Sequence, residues 1–317
     1  MIDFADIQRL LIIKHGAFGD VIQSFGAIED IRENFENAHI TVLTEPGFKK
    51  IFERCSFVDQ VMVDARYPHW RIDKLYALKQ GFAEIAPEYV VDLQNSARTA
   101  FYRKYLLAKP EWSFIANARN AKTKYPKCLP SLERLAGQLA DSGLRLNKTK
   151  TPDISWLAND VSGILQAENV NVPFVTLIPG CSAKHPKKRW PYYAELAEKL
   201  LDAGYDVVAV PGPDEIELCT ALPGKTLTGA GFLNWFDLAG ILQKSAFVVG
   251  NDTGPTHIAV NLDVPGLALF GPHASAHSTG ILGRKLEVLE VDDLTALDVD
   301  TVFSKTIELM AVHSKEV

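Results

Sequence analysis

Short apolar runs rich in β-branched residues alternate with amphipathic helical patterns from one end of the chain to the other. This alternation constrains the fold more than any other feature. Strands separated by helix-length connections pair in parallel, and parallel sheets are covered on both faces by their crossover helices. Candidate strands in the first half are Leu10 to Lys14, Ile40 to Thr44, Val61 to Val63, Tyr89 to Leu93 and Trp112 to Ala116. In the second half they are Phe174 to Pro179, Asp206 to Val210, Phe247 to Gly250, Gly266 to Phe270 and Leu286 to Val291.

Two such sets predict two Rossmann-like α/β domains, and 317 residues is more than one core usually supports. The seam is expected between Lys148 and Pro173, where TKTPDIS and NVNVP suit an exposed connection. The expected division is 1–160, 161–295 and a terminal segment 296–317. In that last segment Val302, Ile307, Leu309 and Met310 follow a helical spacing.

A net charge of −6 argues against general nucleic-acid binding, so any basic site has to be local. Cys55, Cys128, Cys181 and Cys219 lie far apart without CxxC spacing, which points to reduced thiols in the cytoplasm rather than a zinc or disulfide framework. The opening MIDFADIQRLLIIK lacks the pattern of a secretory signal, and no apolar run is long enough to span a bilayer.

In open α/β sheets ligands bind beyond the carboxyl ends of the strands, and three loops stand there. The first is KHGAFGD, residues 14–20, followed by a helix with Val21, Ile22, Phe25, Ile28 and Ile31 on its apolar face. Two readings of Asp20 stand: a helix N-cap, or a carboxylate that takes a proton from a hydroxyl. The second loop, PGCSAKHPKKRWP, carries Lys184, Lys187, Lys188 and Arg189 ahead of a helix, with Pro191 expected in its first turn. It is either an anion site or a solvated basic face. The third is GNDTGPTHIAVNLDVPGLALFGP, residues 250–272. Its glycines let backbone N–H groups approach a ligand, Asp252 and Thr253 can cap the helix or bind hydroxyls, and His257 is either one turn along the same site or an ordinary buried histidine.

With these loops in place the chain resembles glycosyltransferase family 9, the ADP-heptose:lipopolysaccharide heptosyltransferases. The resemblance rests on KHGAFGD, KKRWP, PGPDE at 211–215 and above all the GNDTG stretch, and it runs in order along the whole chain. It implies an α/β GT-B architecture, two Rossmann-like domains with parallel sheets facing across a cleft, the terminal helix returning to the first. It also implies an inverting, metal-independent transfer from a nucleotide diphosphate sugar, ADP-heptose in this family, with no further cofactor. Asp20 matches the family's general base and Lys188 its diphosphate-binding lysine. Pro179, Gly180, Ser182, Gly212, Asp214, Asp252, Thr253, Gly254 and His257 fall on the donor side; Lys14, His15, Gly19 and Arg98 join Asp20 on the acceptor side. Cys181 stands where many relatives offer a threonine to the phosphates, and Asp214 or Glu215 is either a ribose ligand or a capping acid.

The chemistry suits these residue types. A sugar leaving a diphosphate builds negative charge on the departing oxygen, which a lysine and helix N-termini stabilise, while a carboxylate removes the acceptor's hydroxyl proton. Asp298-Val299-Asp300 matches the letters of a metal-binding DxD, but its place before the terminal helix favours capping. The stretch 98–127 holds eight cations against Glu111 alone. With the family in view, it suits an acidic lipopolysaccharide core and peripheral contact with the inner membrane. Three other readings remain: a UDP-sugar epimerase of the same fold, a non-catalytic sugar-nucleotide-binding protein, and a nicotinamide-dependent oxidoreductase. The last is disfavoured because no GxGxxG follows a predicted strand.

Overall fold

The computed structural model describes residues 4–113, 125–126, 129–181, 185–212, 214–229, 231–272, 275–281 and 285–313. The chain divides into two compact units, Met1–Asp153 and Ile154–Val317. The first holds a parallel sheet of β1 (Arg9–Ile13), β2 (His39–Thr44), β3 (Gln60–Val63), β4 (Tyr89–Asp92) and β5 (Glu111–Trp112), in the order β3-β2-β1-β4-β5. Leu10 to Ile13 are fully buried, as a central parallel strand covered on both faces requires. The fifth strand is Glu111–Trp112, so of the expected Trp112 to Ala116 only Trp112 belongs to it; Phe114 to Ala116 lie outside the described residues.

The second unit holds β6 (Phe174–Ile178), β7 (Asp206–Ala209), β8 (Lys225–Thr226), β9 (Phe247–Asn251), β10 (Gly266–Phe270) and β11 (Leu286–Glu290). These run parallel in the order β11-β10-β9-β6-β7-β8. Strand order reverses between β1 and β4 in the first sheet and between β6 and β9 in the second. These are the points where the connections leave in opposite directions and open a crevice at the strands' carboxyl ends. The edge strand β8 has too few residues to show a period.

Each unit fastens its own end of the connecting segment. In the first, Asp30 is buried and accepts the backbone N–H groups of Asn147, Lys148 and Thr149 at 2.7–2.9 Å. Gly26 permits that approach, since a Cβ there would meet the Lys148 carbonyl oxygen at 2.2 Å. In the second, Asn159 donates from its backbone to Phe236 O at 3.0 Å and from its amide to Asp237 at 2.8 Å.

The terminal helix Val299–His313 supplies part of the second unit's core. Its buried Val302 and Leu309 belong to the second unit's core with Trp190, Leu196 and Leu200 of the preceding layer, and Lys199 pairs with Asp300 at 2.8 Å. Trp190 Nε1 and Tyr192 Oη also donate to the Leu297 and Thr295 carbonyls. Asp298 caps the helix, accepting the Thr301 N–H and hydroxyl at 2.8 Å each, so both acids of the DxD stretch have structural partners. Cys55, Cys181 and Cys219 are buried and free; Cys128 lies outside the described residues. Among the described residues no helix is long and apolar enough to cross a membrane.

Candidate active site

On the second unit the site forms where β6 and β9 end side by side. Asn251, the last residue of β9, is fully buried, and its amide nitrogen donates to the carbonyls of Pro179 at 3.0 Å and Gly180 at 3.1 Å. Its amide oxygen accepts the Trp190 N–H at 3.1 Å and the Tyr193 hydroxyl at 3.2 Å. One side chain thus ties the loop after β6, the start of the helix Tyr193–Asp202 and the end of β9 together. That helix begins two residues beyond Pro191, which precedes its N-cap Tyr192.

Asp252 follows, nearly buried, with Lys188 Nζ 2.5 Å from Oδ2 and His257 Nε2 3.8 Å from Oδ1. Burial alone would raise the Asp252 carboxyl, but hydrogen bonds from His257 and Lys188 outweigh it and hold it below its ordinary value. Thr253 is the N-cap of the helix Gly254–Asn261 without making a side-chain cap bond, and Pro255 sits in the first turn. The first N–H groups of this helix therefore open beside the Asp252–Lys188 pair, an arrangement suited to an anion. Of the four cations predicted here, Lys188 reaches Asp252, Lys187 and Arg189 are exposed, and Lys184 lies outside the described residues, as does Ser182.

The PGPDE turn meets this site through Glu215 rather than Asp214, which is exposed. Glu215 accepts the Gly212 N–H at 2.8 Å, and a Cβ on Gly180 would lie 1.9 Å from its Oε2. The absence of a side chain at Gly180 is what admits the carboxylate to the loop.

On the first unit, Lys14 and His15 follow β1 and are buried. Burial lowers the Lys14 pKa while the carboxylates of Asp20 and Asp92 oppose the shift. Gln94 accepts the N–H groups of His15 and Gly16 at 3.0 and 3.3 Å and fixes the turn. Gly19 and Asp20 lie in the first turn of the helix Phe18–Gln23. The expectation of Asp20 as N-cap is corrected: the N-cap is Ala17, and Asp20, three residues on, reaches back to the Ala17 N–H at 3.3 Å with its side chain exposed.

Arg98 stands apart from Asp20 in its bonding. Its guanidinium grips Asp64 with two contacts, 3.0 and 3.1 Å, and donates to Tyr67 O at 2.8 Å. Asp64 also accepts the Tyr102 hydroxyl and the Arg66 N–H, and lies 3.4 Å from His15 Nε2. Burial opposes its ionisation, yet His15, Arg98 and Tyr102 together hold the carboxyl well below the usual range. Asp92, buried at the end of β4, goes the other way: desolvation dominates and raises its pKa despite bonds from Thr99 and the Asn95 and Gln94 N–H groups.

The sequence profile of glycosyltransferase family 9 (heptosyltransferase) matches residues 75–300. The chain belongs to glycosyltransferase family 9. Lipopolysaccharide heptosyltransferase 2 of Escherichia coli strain K12 is 30% identical over 324 aligned residues, covering 90% of this chain and 88% of the relative. Among solved structures, a family 9 glycosyltransferase from Veillonella parvula matches with a TM-score of 0.80 at 17% identity, covering 98% of this chain and 99% of that one. The E. coli heptosyltransferase WaaC with ADP matches at 0.71 and 21% identity, covering 95% and 100%. The two parallel-sheet units are those of the GT-B fold.

As a family 9 glycosyltransferase the chain places four polar residues at these loops to which the motif reading gave no single role: Asn251, Glu215, Asp64 and Asp92. All but Glu215 end or directly follow a strand, the same rule that drew attention to the three loops. Glu215 was visible as an acid in PGPDE, but only its contact with Gly180 separates it from Asp214.

Proposed function

We propose that this family 9 enzyme transfers a heptose from ADP-heptose to a hydroxyl of a lipopolysaccharide core acceptor, with inversion at the anomeric carbon and without a metal ion or other cofactor. The observation that carries the reading is the Lys188–Asp252–His257 cluster at the N-terminus of Gly254–Asn261, where a buried carboxylate holds a cation beside a helix start that its N-cap side chain does not cap. The solved E. coli relative with ADP supports the nucleotide, and the curated relatives, named lipopolysaccharide heptosyltransferases, support the acceptor.

In this reading Asp20 accepts the proton of the acceptor hydroxyl as its oxygen bonds to the anomeric carbon. The bond from that carbon to the diphosphate oxygen breaks on the opposite face, and ADP departs with the electron pair. Lys188 and the Gly254 helix N-terminus offset the charge on the leaving oxygen, and Asp252 keeps Lys188 at the loop and offers its oxygens to sugar hydroxyls. The acceptor-side residues Lys14, His15, Gly19 and Arg98 shape the surface around Asp20, Arg98 acting through Asp64.

A thermal-shift panel of ADP, UDP, GDP, CMP, ADP-heptose and NAD tests the donor side. A ligand at a hundredfold its Kd stabilises the native state by about 2.7 kcal/mol. ADP and ADP-heptose are expected to do so, and Lys188→Ala to abolish the response. Preference for UDP would move the assignment to another sugar or to epimerisation, and a response to NAD alone would overturn it.

A further inference from the structure

Among the described residues of the first unit, the most exposed large apolar side chains lie in one short stretch. Trp70 is 79% exposed, Ile72 75% and Tyr76 63%, within seven residues at the start of the helix Ile72–Ile85. That helix buries Leu78 and Phe82, and Ile72 and Tyr76, one turn apart, lie on its outer side. The loop leading into it is built rather than loose: Arg98 donates to Tyr67 O at 2.8 Å, and His69 stacks on Phe101 with ring centroids 4.2 Å apart. Phe101 in turn packs at 4.9 Å against Tyr105, itself 55% exposed.

Cations rim these rings. Residues 65–80 contain Arg66, Arg71, Lys74 and Lys79 against Asp73 alone, and 101–109 contain Arg103, Lys104 and Lys109 with no acid, in a chain of net charge −6. Arg71 and Lys74 lie 5.7 and 5.4 Å from the centre of the Tyr67 ring, and Lys104 lies 4.9 Å from that of Tyr105. Arg66 and Arg71 also have acidic partners, Glu45 and Asp73.

We propose that this surface docks on an anionic lipid bilayer, with Trp70, Ile72 and Tyr76 entering the headgroup boundary and the surrounding lysines and arginines against lipid phosphates. An indole and a phenol at an apolar edge ringed by cations match that boundary, where one end of each group is dry and the other wet. The charge complementarity is local, which is why the overall acidity does not forbid it. It rests on the proposed glycolipid acceptor only for its purpose, since docking requires neither donor nor acceptor. The surface also sharpens the expectation from 98–127: within that stretch Arg98 is engaged by Asp64 and Arg103 lies over Trp112, while Lys104, over Tyr105, belongs to the rim.

Flotation of the full chain with phosphatidylcholine vesicles, with and without phosphatidylglycerol, tests the proposal. Wild type is expected to float with the anionic vesicles and to be released by salt. Trp70→Ala/Ile72→Ala and Arg71→Glu/Lys74→Glu are each expected to lower the partition coefficient by at least about tenfold. Their melting temperatures and ADP responses should match wild type. Absence of wild-type flotation, flotation indifferent to phosphatidylglycerol, or variants that float like wild type overturns it. So does a wild-type dimer that the Trp70 variant dissociates without any vesicle binding, which assigns the patch to a second copy. Flotation that persists while ADP gives no thermal shift removes the proposed donor and leaves the docking surface standing.

Discussion

The side-chain amide of Asn251 donates to the carbonyl oxygen of Gly180 at 3.1 Å, so the position of the loop after β6 is set from the end of β9. Replacing Asn251 by Asp keeps the shape but removes both donors and sets a carboxylate against the Pro179 and Gly180 carbonyls. Asn251→Asp is expected to destabilise the protein by about 2–4 kcal/mol at neutral pH. It should also weaken ADP binding more than Asp20→Asn does. Urea unfolding and calorimetric ADP titration measure the two effects; an unmoved unfolding midpoint would show that the loop holds itself.

Asp20 is exposed, and its carboxylate accepts the Ala17 N–H, a bond that an Asn carbonyl also accepts. Asp20→Asn is therefore expected to leave the melting temperature and ADP response unchanged while kcat falls by about 10²–10⁴. Turnover equal to wild type would remove Asp20 from the role of base.

Gly26 and Gly180 both face oxygen atoms at distances no Cβ tolerates, but with different consequences. At Gly26 the obstacle is the Lys148 backbone, so Gly26→Ala is expected to cost about 1–3 kcal/mol in urea unfolding. At Gly180 it is the end of the flexible Glu215 side chain, which can swing away at a cost of about 0.5 kcal/mol. Gly180→Ala and Glu215→Ala should then change ADP affinity alike, and the double variant should match either single one. Additive losses would mean that Glu215 does not act at Gly180.

Asp64 has its folded-state pKa depressed below the ordinary 3.8. Its contribution to stability is therefore fully present above the unfolded value and is lost as pH falls below about 4. Asp64→Asn should cost about 3 kcal/mol at pH 7, since Arg98 loses its buried partner. In urea unfolding, the gap between variant and wild type should narrow by pH 3; a constant gap would show that the carboxylate's charge does not matter there.

What the sequence revealed depended on whether the cause was local. The runs of β1, β2, β4, β6, β9 and β10 could be read because a buried parallel strand is apolar along nearly its whole length, while β8, only two residues long after Pro223 and Gly224, leaves no pattern to find. The GNDTG loop could be read because glycines and an acid after a strand have few structural reasons to coincide. Asp64 could not be read, although it directly follows β3: its partners Arg98 and Tyr102 lie 34 and 38 residues on, and only the folded sheet brings them together. Four cations marked an anion site, but which one turns inward depends on the position of Asp252, 64 residues from Lys188. The spacing of the last helix gave its period without saying which surface it covers.

That surface has a consequence for synthesis. Val302 and Leu309 belong to the core of the second unit, whereas the five strands and the Asp30 clamp of the first lie within Met1–Asp153. Emerging from the ribosome, the amino-terminal half can close its sheet around β1 before most of β6–β11 has been translated. The exposed hydrophobic segments of the two halves then need not coexist on one unfolded chain, which limits the misassembly that burdens multidomain proteins.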